Sequence, residues 1–339
     1  MKRILVNTKT KYNIDILSDI FSHLEQEIKE IYDGKNLYII TDNNVGSFYL
    51  EKIKNSLPSF NVEAVIVFPG EESKSFSVYE KVLNELIDLG ISRGEMLIAL
   101  GGGVVGDLTG FVASTLFRGL PFIQIPTSLI AMVDSSIGGK TAINLGTHKN
   151  IVGCFKQPSL VVIDPKFLQT LPLDELKSGY GEVIKHALIK DESLLLKLEK
   201  LESVNDIDAN IIEANLMIKK YFVEADEFDN SLRMILNFGH TFGHIIELRQ
   251  GLKHGEAVLS GMLAAIDLGN HLGIGKVGLR DRLLSLYKKL DLKYVDINWQ
   301  ELLPLVSFDK KNIKGMMNFI LLEDIAKPLI YPVEVSSCK

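Results

Sequence analysis

The sequence predicts an N-terminal α/β nucleotide-binding domain on a mostly parallel, Rossmann-like sheet, followed by an all-α C-terminal domain. Three observations carry this reading. Short apolar runs alternate with helical patterns through the first half. A glycine-rich loop, "LGGGVVGDLTGF", follows one such run and opens a helical segment. From about residue 172 onward, apolar residues recur at i, i+3 and i+4. Strand–helix–strand alternation implies parallel strands with helices on both faces. The 339 residues are too many for one compact core and suit two domains, placed at 1–165 and 166–339.

The opening "MKRILVNTKTKYNIDIL" has basic residues but only a three-residue apolar run, which is not a signal-peptide pattern. "NLYIIT" (36–41), "VEAVIVF" (62–68), "EMLIAL" (95–100), "LPFIQIP" (120–126) and "LVVID" (160–164) read as buried strands. Between them, segments such as 73–90 carry apolar residues at helical spacing. "DPKFLQTLP" (164–172) reads as the crossover into the second domain. There "LDELKSGYGEVIKHALI", "ESLLLKLEKLE", "IDANIIEANLMIKKYFVE" and "GEAVLSGMLAAIDLGNHLG" read as amphipathic helices. Ligand sites favour domain junctions, so an active cleft is expected between the two domains.

Composition narrows the partners. Hydrophobic residues at 46% and charged residues at 24% are ordinary for a globular chain. The net charge of −6 excludes a global basic surface for nucleic acid, so cations for an anionic substrate must be gathered locally. No apolar stretch reaches membrane-spanning length, because "GFVASTLFRGLPFIQIPTSLIAMV" is broken by Arg118 and Pro121. Cys154 and Cys338 give neither a disulfide framework nor a CxxC knuckle, which points to reduced thiols and a cytoplasmic address.

Gly101, Gly103 and Gly106 fit GxGxxG, with Gly102 inside the same loop. Glycine there lets a pyrophosphate approach the unpaired N–H groups of a helix start. A structural strand-to-helix turn has the same spacing, and no acidic residue follows about twenty residues later to take a ribose. Asp42, in "TDNN" at the end of an upstream strand, is the alternative ribose partner, and "PTS" (126–128) brings hydroxyls to another strand end. In the plain structural reading, Asp42 starts an Asx-turn and Thr127 caps a helix.

"LNFGHTFGH" (236–244) places His240 and His244 four apart, on one face of a helix. His254 in "LKHGEAV" and Glu182 in "SGYGEVIKHALI" join them, and all four are expected at glycine-flanked helix starts. A catalytic zinc takes a few N and O ligands and keeps one position open. Spacing alone does not say which three bind, although the shared helix face nominates both His240 and His244. A lone histidine is ordinarily structural, and His23, His148 and His271 are read so.

Five segments, in order, resemble the 3-dehydroquinate synthase family: "GGGVVGDLTGFVAST", "FRGLPFIQIPTSLIAMVDSSIGGKTAIN", "SGYGEVIKHALI", "RMILNFGHTFGH" and "HGEAV". The likeness runs from "TDNN" to "DKKNIKG", and the block 118–144 is highly specific. The resemblance implies NAD, one divalent metal (normally zinc, with cobalt the alternative), a homodimer, and the substrate 3-deoxy-D-arabino-heptulosonate 7-phosphate. It implies metal ligation by Glu182, His240 and His254, with His244 beside the substrate instead. For NAD it points to Asp42, Asn44, Glu71, Lys74, Gly101, Gly102, Gly103, Asp107, Thr127, Ser128, Lys149, Phe167 and Thr170. For catalysis it points to Arg118, Asp134, Lys140, Asn150, Lys185 and His244. For substrate binding it points to Lys219, Arg233, Asn237, Asp229 and one of Lys310 and Lys311, with Lys311 preferred. Three departures stand out: Gly181 where the family usually has alanine, Asp229 where it usually has glutamate, and no paired glycines in "DEFDNSLR".

The implied reaction oxidises one substrate carbon transiently with NAD, eliminates phosphate, returns the hydride and closes a carbocycle by an intramolecular aldol step. Such a substrate carries a phosphate and a carboxylate, which suits arginine forks and lysine point charges. Three rivals share parts of the pattern. Another sugar-phosphate cyclase would take a substrate without the carboxylate. A metal-dependent polyol dehydrogenase would accumulate NADH. A nucleotide-binding regulatory protein would have no turnover at all.

Overall fold

The computed structural model describes residues 1–306 and 316–334. The chain divides into two compact units, Met1–Leu171 and Pro172–Lys339.

In the first unit the elements run β1 (Lys2–Val6), β2 (Tyr12–Ile16), α1 (Ile20–Lys29), β3 (Asn36–Asp42), α2 (Asn43–Asn55), β4 (Asn61–Val67), α3 (Phe76–Asp88), β5 (Met96–Gly101), α4 (Gly103–Thr115), β6 (Phe122–Pro126), β7 (Lys140–Leu145), β8 (His148–Phe155) and β9 (Leu160–Ile163). Seven strands form one sheet in the order β1-β2-β9-β6-β5-β3-β4. Every pairing in it is parallel except β1 with β2. All five sequence-read strands are present. β5, β6 and β9 are buried at every position, so they appear as unbroken apolar runs, whereas β4 lies at the sheet's end and alternates in burial.

In this unit the sequence reading missed two pairs of strands. β1 and β2 hide charge inside the strand pattern: Arg3 lies opposite Asp15 and donates to it from Nε at 2.7 Å. Asp15 is fully buried there and Glu27 of α1 shares the same guanidinium, so two buried carboxylates are matched by one cation. β7 and β8 form a separate antiparallel hairpin joined through Gly146, whose φ of 58° makes the turn. β8 is largely exposed and polar at its start, so no buried-strand signal marks it.

The second unit contains α5 (Leu173–Lys190), α6 (Glu192–Leu198), α7 (Ala209–Ala225), α8 (His240–Gln250), α9 (His254–His271), α10 (Leu279–Lys289), α11 (Trp299–Val306), β10 (Met316–Asp324) and β11 (Lys327–Glu334). It is helical as expected, with one addition, the antiparallel β10–β11 hairpin. α9 is the central element: fourteen of its eighteen residues are buried, from Gly255 to Gly269. Glycines bring its neighbours close. A Cβ on Gly255 would overlap the Ser178 carbonyl of α5, and one on Gly181 would stand 2.5 Å from the Gly255 carbonyl oxygen. A Cβ on Gly261 would overlap the Gly239 carbonyl before α8, and one on Gly243 would lie 3.0 Å from the Ala257 carbonyl oxygen. α5 and α8 therefore rest on α9 backbone to backbone.

Candidate active site

In the first unit, leaving aside β1 and β2, the strands follow the doubly wound order 2-1-3-4-5. The chain adds β4 on one side of β3 and then returns to add β5 on the other. Ligands in such sheets bind outside the carboxyl ends of the strands at this reversal. Asp42 ends β3 and Gly101 ends β5, so two sequence candidates flank the switch point. Asp42 also caps α2, its Oδ1 accepting from the N–H groups of Asn44 at 2.8 Å and Val45 at 2.9 Å.

Gly102 is the N-cap of α4. None of Gly101, Gly102, Gly103 and Gly106 has a positive φ, so space is what glycine supplies. A Cβ would stand 3.3 Å from Ser128 Oγ at Gly102, 2.9 Å from Ser135 Oγ at Gly103 and 2.6 Å from Gln124 Oε1 at Gly106. A helix start with glycine at its cap and first residue, and with its first N–H groups lacking intrahelical acceptors, suits a pyrophosphate. Thr127 does not cap the turn that follows β6. Its N–H donates to the Gly101 carbonyl at 2.9 Å, and Ser128 takes the capping position, with Oγ accepting from Ala131 N–H at 3.3 Å. The reason is register: Thr127 still continues the β5–β6 ladder, one residue short of the turn.

A polar network lies in the same unit. Lys74 is buried and donates to Asp107 Oδ2 at 2.6 Å and to Asn150 Oδ1. Asn144 closes the ring by donating from Nδ2 to Glu71 Oε1 at 2.8 Å, while its Oδ1 accepts from Asn150 N–H at 2.8 Å. Burial raises the Asp107 carboxyl to about 6 against the pull of Lys74. A cavity of about 300 Å³ is lined by Glu71, Lys74 and Asn144 among others. Asn144 was absent from the sequence candidates; its place near the end of β7, two residues before Gly146, was the available signal. Lys149 is exposed on β8. Phe167 is buried, its ring 4.6 Å edge-on from Tyr49, and Thr170 shares a hydrogen bond with the Tyr49 hydroxyl. Arg118 is exposed and left-handed (φ 67°), Asp134 lies in the turn Ala131–Ser135, and Lys140 opens β7.

In the second unit, Glu182, His240 and His254 bring one ligand atom each within 4.8 Å of one another. The expectation that all sit at helix starts is corrected. His240 and His254 are first residues of α8 and α9, but Glu182 lies mid-helix in α5 and His244 in the second turn of α8. Glu182 is placed by its neighbour, since Gly181 abuts Gly255 and so sets Glu182 beside His254. Glu182 Oε1 lies 3.3 Å from His240 Nε2 and 3.0 Å from His254 Nε2. Ligands of a tetrahedral zinc, each 2.0–2.1 Å from the ion, stand about 3.3 Å apart. The outer ring nitrogens are engaged: His240 Nδ1 lies 3.2 Å from the Phe238 carbonyl and His254 Nδ1 lies 3.5 Å from Glu247 Oε2. Both Nε2 atoms thus turn inward, and the N, N, O donor set fits a divalent ion with open positions.

Charge in this cluster is tightly coupled. Burial raises the Glu182 carboxyl, but Lys185, which ion-pairs with Oε2, and His240 outweigh it and hold it well below the carboxylate range. Burial keeps the His240 imidazole lower than usual despite Glu182. Burial also lowers His254, but Glu182 and Glu247 overcome that and push it up to about 10. His244 is exposed, its ring centroid 5.5 Å from His240, close to the 5.3 Å that separates His240 from His254, and 6.4 Å from His254. Of the histidines read as structural, His23 Nδ1 lies 2.9 Å from the Asp19 carbonyl, His271 packs 5.0 Å from the Trp299 ring, and His148 opens β8.

Of the substrate candidates, Lys219 and Arg233 are buried and Asn237 is half-buried. Arg233 Nη1 donates to the Glu227 carbonyl at 2.7 Å. Asp226 organises this loop, accepting from the N–H groups of Asn230 at 3.0 Å, Ser231 at 2.6 Å and Arg233 at 3.1 Å. Asp229 adopts φ 58°, a left-handed position that aspartate tolerates better than glutamate. Lys310 and Lys311 lie outside the described residues, as does Cys338. Glu247 was missed by the sequence reading; its place seven residues after His240 on the same helix face was the signal.

Residues 64–178 match the 3-dehydroquinate synthase N-terminal family and residues 179–312 the 3-dehydroquinate synthase C-terminal family. The chain is 42% identical to the 3-dehydroquinate synthase of Clostridium botulinum (strain Alaska E43 / Type E3), covering 100% of both. It is 46% identical to that of Clostridium perfringens (strain 13 / Type A), covering 99% of each. A solved 2-deoxy-scyllo-inosose synthase, complexed with carbaglucose-6-phosphate, NAD+ and Co2+, shares the fold at TM-score 0.87 and 24% identity, covering 99% of this chain and 97% of its own.

Proposed function

The chain belongs to the 3-dehydroquinate synthase family, and we propose that it performs that family's reaction with NAD and one divalent metal ion. The reaction turns 3-deoxy-D-arabino-heptulosonate 7-phosphate into 3-dehydroquinate and phosphate, as a carbon–oxygen lyase of the shikimate pathway. The observation that carries the reading is the Glu182–His240–His254 triad, spaced as a tetrahedral metal's ligands are. The metal is proposed to be zinc, with cobalt able to replace it. Bound, the metal supplies polarisation of substrate hydroxyls and NAD a hydride acceptor that returns what it takes.

The residues divide the remaining work. Lys185 fixes Glu182 Oε2, which leaves Oε1 aimed at the imidazoles. Its ammonium also favours negative charge on a substrate oxygen nearby. His244, one helical turn from His240, is assigned to the substrate as a proton-carrying hydrogen-bond partner. Buried Lys219 and Arg233, with Asn237, Asp229 and Lys311, are assigned to anionic and hydroxyl groups of the substrate. Arg118, Asp134, Lys140 and Asn150 are assigned to it as well. Asp42, Asn44, Glu71, Lys74, Asp107, Thr127, Ser128, Lys149, Phe167, Thr170 and the Gly101–Gly103 turn are assigned to NAD. The proposal extends to a cytoplasmic homodimer, on the resemblance and the two-thiol composition.

A phosphate-release assay tests it. Release from the heptulosonate phosphate, abolished by chelator and restored by Zn2+ or Co2+, with no net NADH, is expected. Release from glucose 6-phosphate or sedoheptulose 7-phosphate alone would assign a different cyclase, and NADH accumulating with product would assign a dehydrogenase.

A further inference from the structure

We propose that Glu247 is a positioning residue for the metal: its carboxylate holds the His254 ring so that Nε2 faces Glu182, and thereby sets metal affinity. The proposal rests on the metal-site reading above. His254 is the most exposed of the three ligand side chains, at 37% against 13% for His240 and 1% for Glu182. It is therefore the ligand whose ring depends most on a specific partner for its orientation. Glu247 Oε2 lies 3.5 Å from His254 Nδ1, on the side of the ring away from Glu182 Oε1, which lies 3.0 Å from Nε2. The ring is thus held between two carboxylates from different helices.

Glu247 is itself fixed. Its backbone carbonyl accepts from Gly251 N–H at 3.0 Å, and Gly251 turns left-handed at φ 62° to end α8. Only Leu252 and Lys253 separate that cap from His254. Lys253 N–H donates in turn to Glu256 Oε2 at 3.1 Å, which secures the start of α9. The turn therefore returns the chain to Glu247 at a set distance, and the carboxylate meets the ring it precedes by seven residues. His240 differs, because its Nδ1 faces the Phe238 carbonyl, a neutral acceptor. A carboxylate acceptor makes an imidazole ligand more basic and fixes its tautomer, and losing such a partner costs roughly 10–100-fold in metal affinity.

The test uses the full chain loaded with Co2+, comparing the parent with Glu247→Ala, Glu247→Gln and Glu182→Gln. Chelator competition reads affinity, and the visible Co2+ bands read ligand geometry. Glu247→Ala is expected to bind roughly 10–100-fold more weakly, with shifted bands. Glu247→Gln is expected to recover most of the affinity, because its amide oxygen still accepts from Nδ1–H, while the bands stay displaced. If Glu247→Ala does not fold, Glu247→Gln decides by its spectrum. Parent-like affinity and superimposable bands in the folded variants would overturn the role of Glu247 while leaving the metal site intact. Equal Co2+ binding by the parent and Glu182→Gln would overturn the metal site itself, and this inference with it.

Discussion

The two candidate ligand regions are built in opposite ways. In the first unit, the glycine cradle is local to the chain: strand β5, the turn Gly101–Gly103 and helix α4 are contiguous. The sheet does the positioning, and the glycines only keep side chains out of the way. In the second unit, Glu182 comes from α5, far along the chain from His240 and His254, which open the consecutive helices α8 and α9. Glycine-to-backbone contacts contribute to the positioning there, because α5 and α8 come against α9 backbone to backbone where Cβ atoms are missing. A site made by sequence-local turns tolerates movement elsewhere in its unit. A site made by helix contacts spreads when one contact spreads.

The largest expected effect comes from breaking the second region outright. His254→Ala removes one ligand from a three-ligand set, and metal binding and turnover are lost together. A polarising metal contributes several kcal/mol, so kcat falls by roughly a thousandfold or more. Near-ultraviolet circular dichroism is expected to stay native, since His254 is partly exposed. Unchanged metal content with unchanged rate would remove His254 from the ligand set.

This difference also explains what the sequence made legible. The five buried strands, the glycine turn and the main helices could be read because their signals are periodic and local. Arg3 and Asp15 concealed β1 and β2, because a buried ion pair breaks the unbroken apolar run by which the other strands were read. The face argument nominated His240 and His244 from helical spacing, yet the third close partner is Glu182, from mid-α5. No period links residues 182, 240 and 254; packing between helices does, as at the Gly181–Gly255 and Gly239–Gly261 contacts. The family resemblance supplied that grouping before the structure displayed it. Glu247 and Asn144 went unnoticed because each acts on another candidate: Glu247 faces the His254 ring, and Asn144 ties Glu71 to Asn150.

Alanine at two glycines sharpens the comparison. At Gly255, Cβ would overlap the Ser178 carbonyl, which is backbone and cannot swing aside. Overpacking of this kind costs about 1–3 kcal/mol, and it pushes α5 from α9. Gly255→Ala is expected to lower Tm by several degrees and to weaken metal binding with it. At Gly103, Cβ would meet Ser135 Oγ at 2.9 Å, a hydroxyl that can rotate. Gly103→Ala is therefore expected to weaken NAD binding severalfold, read by quenching titration, while Tm moves little. Equal Tm losses at both positions would erase the distinction between a packed contact and a cleared cradle.

The smallest effect is one of sign, and it separates the units by pH. Asp107, in α4, is pushed up to about 6 by burial, against Lys74. An acid raised in the fold stays protonated after its unfolded counterpart has ionised. Stability from that group is present at low pH and falls as pH rises from the ordinary aspartate range through about 6. Asp226, before the Arg233 turn, is raised by burial but held lower overall by the N–H groups of Asn230, Ser231 and Arg233. Its contribution is full above the ordinary aspartate value and is lost as pH falls through the depressed one. Asp107→Asn should therefore gain on the parent between about pH 4 and pH 6. Asp226→Asn should lose to the parent above about pH 4, and the gap should close below it. Thermal melts across pH 3–8 would show two difference curves of opposite slope. Parallel curves would mean that the two carboxylates share one kind of environment, and that the contrast between a buried cradle and a hydrogen-bonded loop does not extend to their charges.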